Sequence, residues 1–240
     1  MKYLSFGVNL SGTFEKNITA NSDDDSMESY HPWVTPYNED GTLKYNIKSW
    51  KNYTMDPTPL SNPLQDNKYN NVTDLKNNLF GSFSATLKPF RWLSFSSTNT
   101  LSLTNVNTND YLDSRTYSGN HSRNEMSNGV LKVDDERSWT FLTSNILRLQ
   151  HSFGEHNLSG LVGQEWYERH TRSSHIEMYD QMIAGERNVG GFSKQGDKTN
   201  PAVIPTGAER ESGSFSVFSE VNYNYAGKYM ASASFRTDGS

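Results

Sequence analysis

The chain has 240 residues, a net charge of −5, a mean hydropathy of −0.78 and no cysteine. These values exclude disulfides and thiolate metal sites and give a nucleic-acid partner no electrostatic support. No run approaches the roughly 18 apolar residues of a transmembrane helix, although a barrel strand needs only alternate residues apolar.

Residues 3–14 alternate from the start, with no apolar leader before them. Leu4, Phe6, Val8, Leu10 and Phe14 fall on one face, and Tyr3, Ser5, Gly7, Asn9, Ser11 and Thr13 on the other. Residues 15–74 read as a long irregular connection, rich in Asn, Asp and Pro, with an acidic run at Asp23, Asp24 and Asp25. Residues 75–87 form the next strand, with Leu79, Gly81, Phe83, Ala85 and Leu87 on its apolar face. The chain turns at 88–92, where Pro89 removes a ladder donor and pairing has to break. It returns through 93–103 with Leu93, Phe95, Leu101 and Leu103 on one face.

A second long connection covers 104–137. The clearest hairpin follows over 138–167, with a tight turn at Phe153–His156. Trp139, Phe141, Thr143, Asn145, Leu147 and Leu149 share a face on its first strand; Leu158, Gly160, Val162, Gln164 and Trp166 share one on its second. After a third long connection, 168–213, strands at 214–225 and 229–236 flank a short turn at 226–228. Phe215, Val217, Val221, Tyr223 and Tyr225 lie on one face of the first, and Tyr229, Ala231, Ala233 and Phe235 on one face of the second.

Short and long connections alternate strictly along these seven strands, so an up-and-down sheet gathers the short turns at one end and the long loops at the other. Outer-membrane barrels have that asymmetry. The apolar faces carry no Asp, Glu, Lys or Arg within the strands, whereas the opposite faces carry Lys76, Arg148, Glu165, Glu220 and Arg236. A lipid-facing Arg or Lys costs roughly 2–4 kcal/mol at the midplane and a lumen-facing one costs little, so the segregation has the expected sign. Asn77, Asn99 and Asn145 break the apolar pattern. An odd number of strands with no sign of closure predicts part of a larger barrel. The fold class expected is an all-β, antiparallel up-and-down transmembrane barrel segment.

NNLFGSFSATLKPFRWLSFSS (77–97), FGEHNLSGLVGQEWYE (153–168) and SVFSEVNYNYAGKYMASASFRTDGS (216–240) resemble the SusC/RagA family of TonB-linked outer-membrane transporters. LSFGVNLSG (4–12) and TPYNEDGT (35–42) fit it more loosely. The resemblance implies a roughly 22-stranded barrel with a plugged lumen. It further implies location in a bacterial outer membrane and a SusD-like lipoprotein over the mouth. Oligosaccharide or peptide substrates and import powered through TonB are implied as well. No TonB box, plug domain or accessory domain is recognisable, so residues 1–240 are expected to be a partial barrel domain that transports nothing alone. The rival readings are a soluble or surface-attached glycan-binding β-sandwich and an outer-membrane barrel enzyme. For the latter no catalytic cluster can be assembled, and no cofactor is expected.

Among candidate site residues, His151, Glu155 and His156 surround a turn without metal-motif spacing. Asp23–Asp25 lack the interleaved ligands of a calcium loop. Tyr30, Trp33, Tyr37, Trp50 and Tyr53 in the first loop are candidates for contact with substrate or lid, because a flat ring matches the C–H face of a sugar; packing of the loop on itself or onto its neighbours is the simpler account of any one of them. Trp92, Trp139, Trp166, Tyr223 and Tyr225 are expected in headgroup-level girdles. Lys76, Arg148, Glu165, Glu220 and Arg236 are expected to face the lumen, lining it or forming ion pairs along the wall.

Overall fold

The structure is a computed structural model and describes residues 3–21, 33–49, 58–121, 128–195 and 205–240. Strands β1 (Leu4–Ala20), β2 (Asn46–Ser49), β3 (Thr58–Ser61), β4 (Asn71–Phe90), β5 (Leu93–Leu112), β6 (Val130–Phe153), β7 (His156–Gln181), β8 (Phe192–Gln195), β9 (Thr206–Tyr225) and β10 (Tyr229–Gly239) follow in chain order. The long strands form one antiparallel meander in the order β1-β4-β5-β6-β7-β9-β10, with β8 beside the upper end of β7. β2 and β3 make a separate small hairpin. The main sheet is open, with β1 and β10 at its edges.

The turns follow their sequence signals. Pairing of β4 with β5 shifts between Leu87 and Phe90, around Pro89. Gly154 takes φ +59 at the first central position of the two-residue β6–β7 turn, a backbone that favours glycine. Ala226 (φ 53) and Gly227 (φ 70) turn β9 into β10, closed by the Lys228 amide donating to the Tyr225 carbonyl at 2.9 Å.

The strands are much longer than alternation predicts. β6 and β7 run for 24 and 26 residues, and the connections shrink to 21–70, 113–129 and 182–205. Only about 9–11 tilted residues are needed to cross a bilayer, and the apolar alternation covers about that much. Beyond it the strands are polar on both sides and lose their period-two signal. Side-chain pairs hold them there instead: Thr104 donates to Asn78 at 3.0 Å, Thr108 to Asp74 at 2.7 Å and Asn107 to Asp135 at 2.9 Å.

The sheet is a single layer, so its apolar face stays open: Leu10 is 78% exposed, Val8 67% and Phe235 62%. The buried apolar cluster lies instead at the loop end, where Tyr111, Leu131, Met178 and Phe192 pack with Val133 and Ile176. A β-sandwich would cover the apolar face with a second sheet. Among the described residues the other sheet is the two-stranded β2–β3 ribbon, which leaves that face exposed.

Candidate functional site

Residues directly opposed in an antiparallel ladder share a face. The registers therefore test whether the apolar faces of separate strands coincide, and they do. Leu4, Leu87, Phe95, Leu147, Val162, Ser219 and Phe235 form one transverse row, and Val8, Phe83, Asn99, Thr143, Trp166 and Phe215 another. The apolar faces of all seven long strands thus make one continuous surface.

Aromatic rings border this surface at both ends. At the turn end Phe90 stacks on Trp92 with ring centroids 5.1 Å apart, and Trp92 meets the edge of His151 at 6.2 Å. His151, Phe153, His156, Tyr225 and Tyr229 continue the chain at spacings of 6.0, 5.0, 4.8 and 6.5 Å. His156 Nδ1 also meets the Tyr223 hydroxyl at 2.6 Å, so both turn histidines serve in an aromatic belt. At the loop end Trp139 stacks on His170 at 5.9 Å, near Phe141, Trp166 and Phe215. With the strands lengthened, charges do appear on this face, but only at or above the upper belt: Lys16, Arg137, Glu168 and Glu211 are the first.

The five charged residues singled out by alternation all lie on the opposite face. Lys76 is paired with Glu15 and Val106, Arg148 with Ser94 and Leu161, and Glu165 with Ser144 and Ser216. Glu220 pairs with Leu161 and Ser234 and accepts from Asn222 at 2.6 Å. Arg236 pairs with Phe218, lays its guanidinium 5.6 Å from the ring centroid and reaches Glu165 at 3.5 Å. Arg236 Nε also donates to Asp238 at 2.9 Å, and the Ser216 hydroxyl to Asp238 at 2.5 Å. Asp238 was missed as a site residue, although its i,i+2 spacing from Arg236 on a strand puts both on one face. The Arg236 pairs are exposed, so solvent screening leaves them a small contribution.

Higher on this inner face is a cleft of about 420 Å³ lined by Thr108, Asp134, Glu136, Ser173, His175 and Thr206 among others. His175 Nδ1 lies 2.7 Å from Asp134. Among the described residues no group of three or more His, Asp and Glu is placed to hold a metal ion.

The three long connections are tied together at the loop end by a buried polar network. Asn62 caps the short helix Pro63–Tyr69 by accepting from the Leu64 amide at 3.2 Å, and its own amide reaches the Pro36 and Lys44 carbonyls at 2.9 and 2.8 Å. Asn70 donates to Ser118 and accepts from the Asp113 amide at 2.8 Å. Asp113, fully buried, accepts from the Tyr111 hydroxyl at 2.7 Å and from the amide, Nε and Nη2 of Arg115 at 2.9, 2.9 and 2.7 Å. Gln181 donates to Tyr111 at 2.5 Å and accepts from the Ser114 amide at 2.9 Å. Burial alone would raise Asp113, but its hydrogen bonds from Arg115 and Tyr111 outweigh it and hold the carboxyl below the usual range. Burial, with Asp113 as acceptor, pushes Tyr111 up to about 12. Arg115 covers the Tyr69 ring at 4.1 Å. Sequence patterning gave no sign of this network, because its members are scattered Asn, Asp and Gln in apparent loops.

Of the loop aromatics, Trp33 and Tyr37 are exposed, and Tyr37 bridges Leu43 across a small turn. Tyr30, Trp50, Tyr53 and the acidic run Asp23–Asp25 lie outside the described residues. Tyr45, not singled out before, packs edge-on to Tyr117 at 5.7 Å and accepts from Asn120 at 2.8 Å.

No family model matches the sequence, and no curated protein does. Solved structures do. The chain is similar over 99% of its length to the RagAB peptide transporter, with a TM-score of 0.66 and 16% identity. It is equally similar to the RagAB peptide importer in its "open-open" and "closed-closed" states, each with a TM-score of 0.66 and 18% identity. In each case it spans about a quarter (26%) of the length of the chain it matches. At such identities the likeness shows the fold: the chain is an open antiparallel segment of a β-barrel wall.

Proposed function

We propose that the chain is part of the wall of a bacterial outer-membrane, TonB-dependent importer. The observation that carries this reading is the register: it gathers seven uncharged apolar faces on one side, borders them with aromatic belts, and leaves the charges on the other side or above the upper belt. The apolar side meets hydrocarbon, and Lys76, Arg148, Glu165, Glu220 and Arg236 face the lumen. The wall performs no chemistry of its own. The knotted loop end is the extracellular rim, where a SusD-like lipoprotein closes over an oligosaccharide or peptide and where Trp33 and Tyr37 offer exposed rings. Tyr30, Trp50 and Tyr53 belong to the same proposed contact set. The architectural match to a peptide importer favours a peptide among these substrates. Energy from TonB and the plug enter through parts of a longer protein.

Spin labels on neighbouring positions of that protein, Phe83 with Ser84 and Val217 with Ser216, test the assignment of faces. Labels at 83 and 217 are expected to respond to lipid-soluble quencher, and those at 84 and 216 to water-soluble quencher. Equal responses within each pair defeat the reading. Uptake of labelled oligosaccharides and peptides by cells with and without the neighbouring lipoprotein then separates the substrates.

A further inference from the structure

Arginine faces arginine on the outward side of the sheet. Arg137 on β6 and Arg172 on β7 are direct partners in the ladder, and both are exposed. Opposed side chains have Cβ atoms about 4.5–5.5 Å apart, and like charges so placed destabilise a sheet. Neighbouring acids do not relieve the pair, because each is engaged elsewhere. Glu209, the partner of Arg172 on β9, turns its carboxylate to His170 Nε2 at 3.0 Å, and Glu211 takes Nδ1 of the same ring at 3.0 Å. Asp135, the next outward residue of β6 toward the rim, accepts from Asn107 at 2.9 Å. Glu168 lies on the turn side of His170, away from the pair. Among the described residues neither guanidinium has a hydrogen bond, an ion pair or a ring contact.

The pair sits at a defined height. Trp139 stacked on His170 belongs to the upper belt, and Arg137 with Arg172 is the next outward row above it. From His151 in the lower belt to Trp139, β6 runs about 12 residues, roughly 40 Å along the strand and roughly 30 Å along the membrane normal at the usual tilt. That matches the thickness of the hydrocarbon layer. Arg137 stands two residues further on, about 7 Å along the strand, among the headgroups.

Two unpartnered guanidinium groups at that height call for an anion with several acceptor oxygens. A phosphate accepts from two planar forks at once and cancels their repulsion. The outer leaflet of an outer membrane is built of a glycolipid whose sugar headgroup carries phosphate. Basic side chains beside a bilayer recognise anionic headgroups by this chemistry.

We propose that Arg137 and Arg172 together bind a phosphate of the glycolipid that forms the outer leaflet around the barrel. The inference rests on the membrane reading above.

The intact parent protein is purified in detergent and offered two probes, lipid A carrying its phosphates and the same lipid stripped of them. Native mass spectrometry counts the lipid retained. The unaltered protein is expected to retain the phosphorylated lipid at least tenfold better. Arg137→Gln with Arg172→Gln is expected to abolish that preference while the barrel keeps its heat-modifiable migration. Lys16→Gln, on the same face at the β1 edge of the sheet, is expected to leave it within twofold. Arg137→Lys with Arg172→Lys keeps the charge but loses the forked geometry, and is expected to fall in between. If the glutamine variant does not assemble, the lysine variant and the two lipids on the unaltered protein decide. Equal retention of both lipids overturns the proposal, as does a double variant that keeps the full preference. Acyl chains add apolar contact, so millimolar inorganic phosphate is expected to leave the lipid bound; complete displacement marks a site for a free anion and overturns the proposal too. A lipid-borne nitroxide that fails to quench a probe at Phe83 overturns the membrane reading itself. Quenching at Phe83 without any preference for phosphate removes the headgroup site alone, and the two failures are thereby told apart.

Discussion

Phe218 on β9 covers Gly163, its direct partner on β7, so closely that a Cβ on Gly163 would come within 2.4 Å of the ring. Arg236 covers the ring from β10. Glycine in a strand weakens it unless something uses the vacant space, and here an aromatic ring from the next strand does. Gly163 is thus a steric requirement on the inner face, next to the Glu165–Arg236 pair.

Gly163→Val is expected to destabilise the wall by about 1–3 kcal/mol through overpacking. Thermal loss of heat-modifiable migration of the parent barrel measures it. Adding Phe218→Ala removes the obstacle and is expected to restore part of the loss. An undiminished defect in the double variant would place the clash elsewhere.

Val162 and Leu161 are neighbours on opposite faces of β7. Val162→Arg is expected to cost roughly 2–4 kcal/mol in a bilayer, and Leu161→Arg much less, because its side chain joins the polar face beside Glu220. Comparing the two in refolding titrations into lipid vesicles isolates the face from the change in residue.

Asp113→Ala leaves the Tyr111 hydroxyl and the backbone amide and guanidinium of Arg115 without their acceptor. A lost acceptor at a buried site costs about 1–3 kcal/mol. The expected result is faster proteolysis within 113–129 and 182–205, with unchanged heat-modifiability of the wall. Equal loss of both would show that rim and wall fold as one unit.

The same network sets a pH window for the rim. Asp113 is held below its unfolded value near 3.9, so its contribution is complete above that pH and is lost as pH falls through the depressed value. Tyr111 is raised to about 12, so its contribution is complete below its unfolded value near 10 and is lost as pH climbs toward 12. Amide exchange at Asn70, Asp113 and Gln181 is expected to be slowest relative to the intrinsic rate between about pH 4 and 10. Asp113→Asn is expected to remove the acid limb alone.

Where the two faces of a strand differ in polarity, the chain itself was sufficient. Leu79 to Leu87 against Lys76 to Ser84, and Trp139 to Leu149 against Arg148, divide by period two, because adjacent strand residues point to opposite sides and only one side excludes charge. The turns at Pro89, Gly154 and Gly227 are local backbone preferences and needed nothing distant. The upper halves of β6 and β7 were hidden, because a strand polar on both faces has no alternation to display, and its order comes from partners such as Asp135 for Asn107 and Asp74 for Thr108. The rim was hidden for a related reason: Asn70, Asp113 and Gln181 are far apart in sequence, and each resembles an ordinary loop residue until folding brings the other two within hydrogen-bond reach. Folding alone also decided that seven separate apolar faces become a single surface, because register, a property of pairs of strands, determines which rows align.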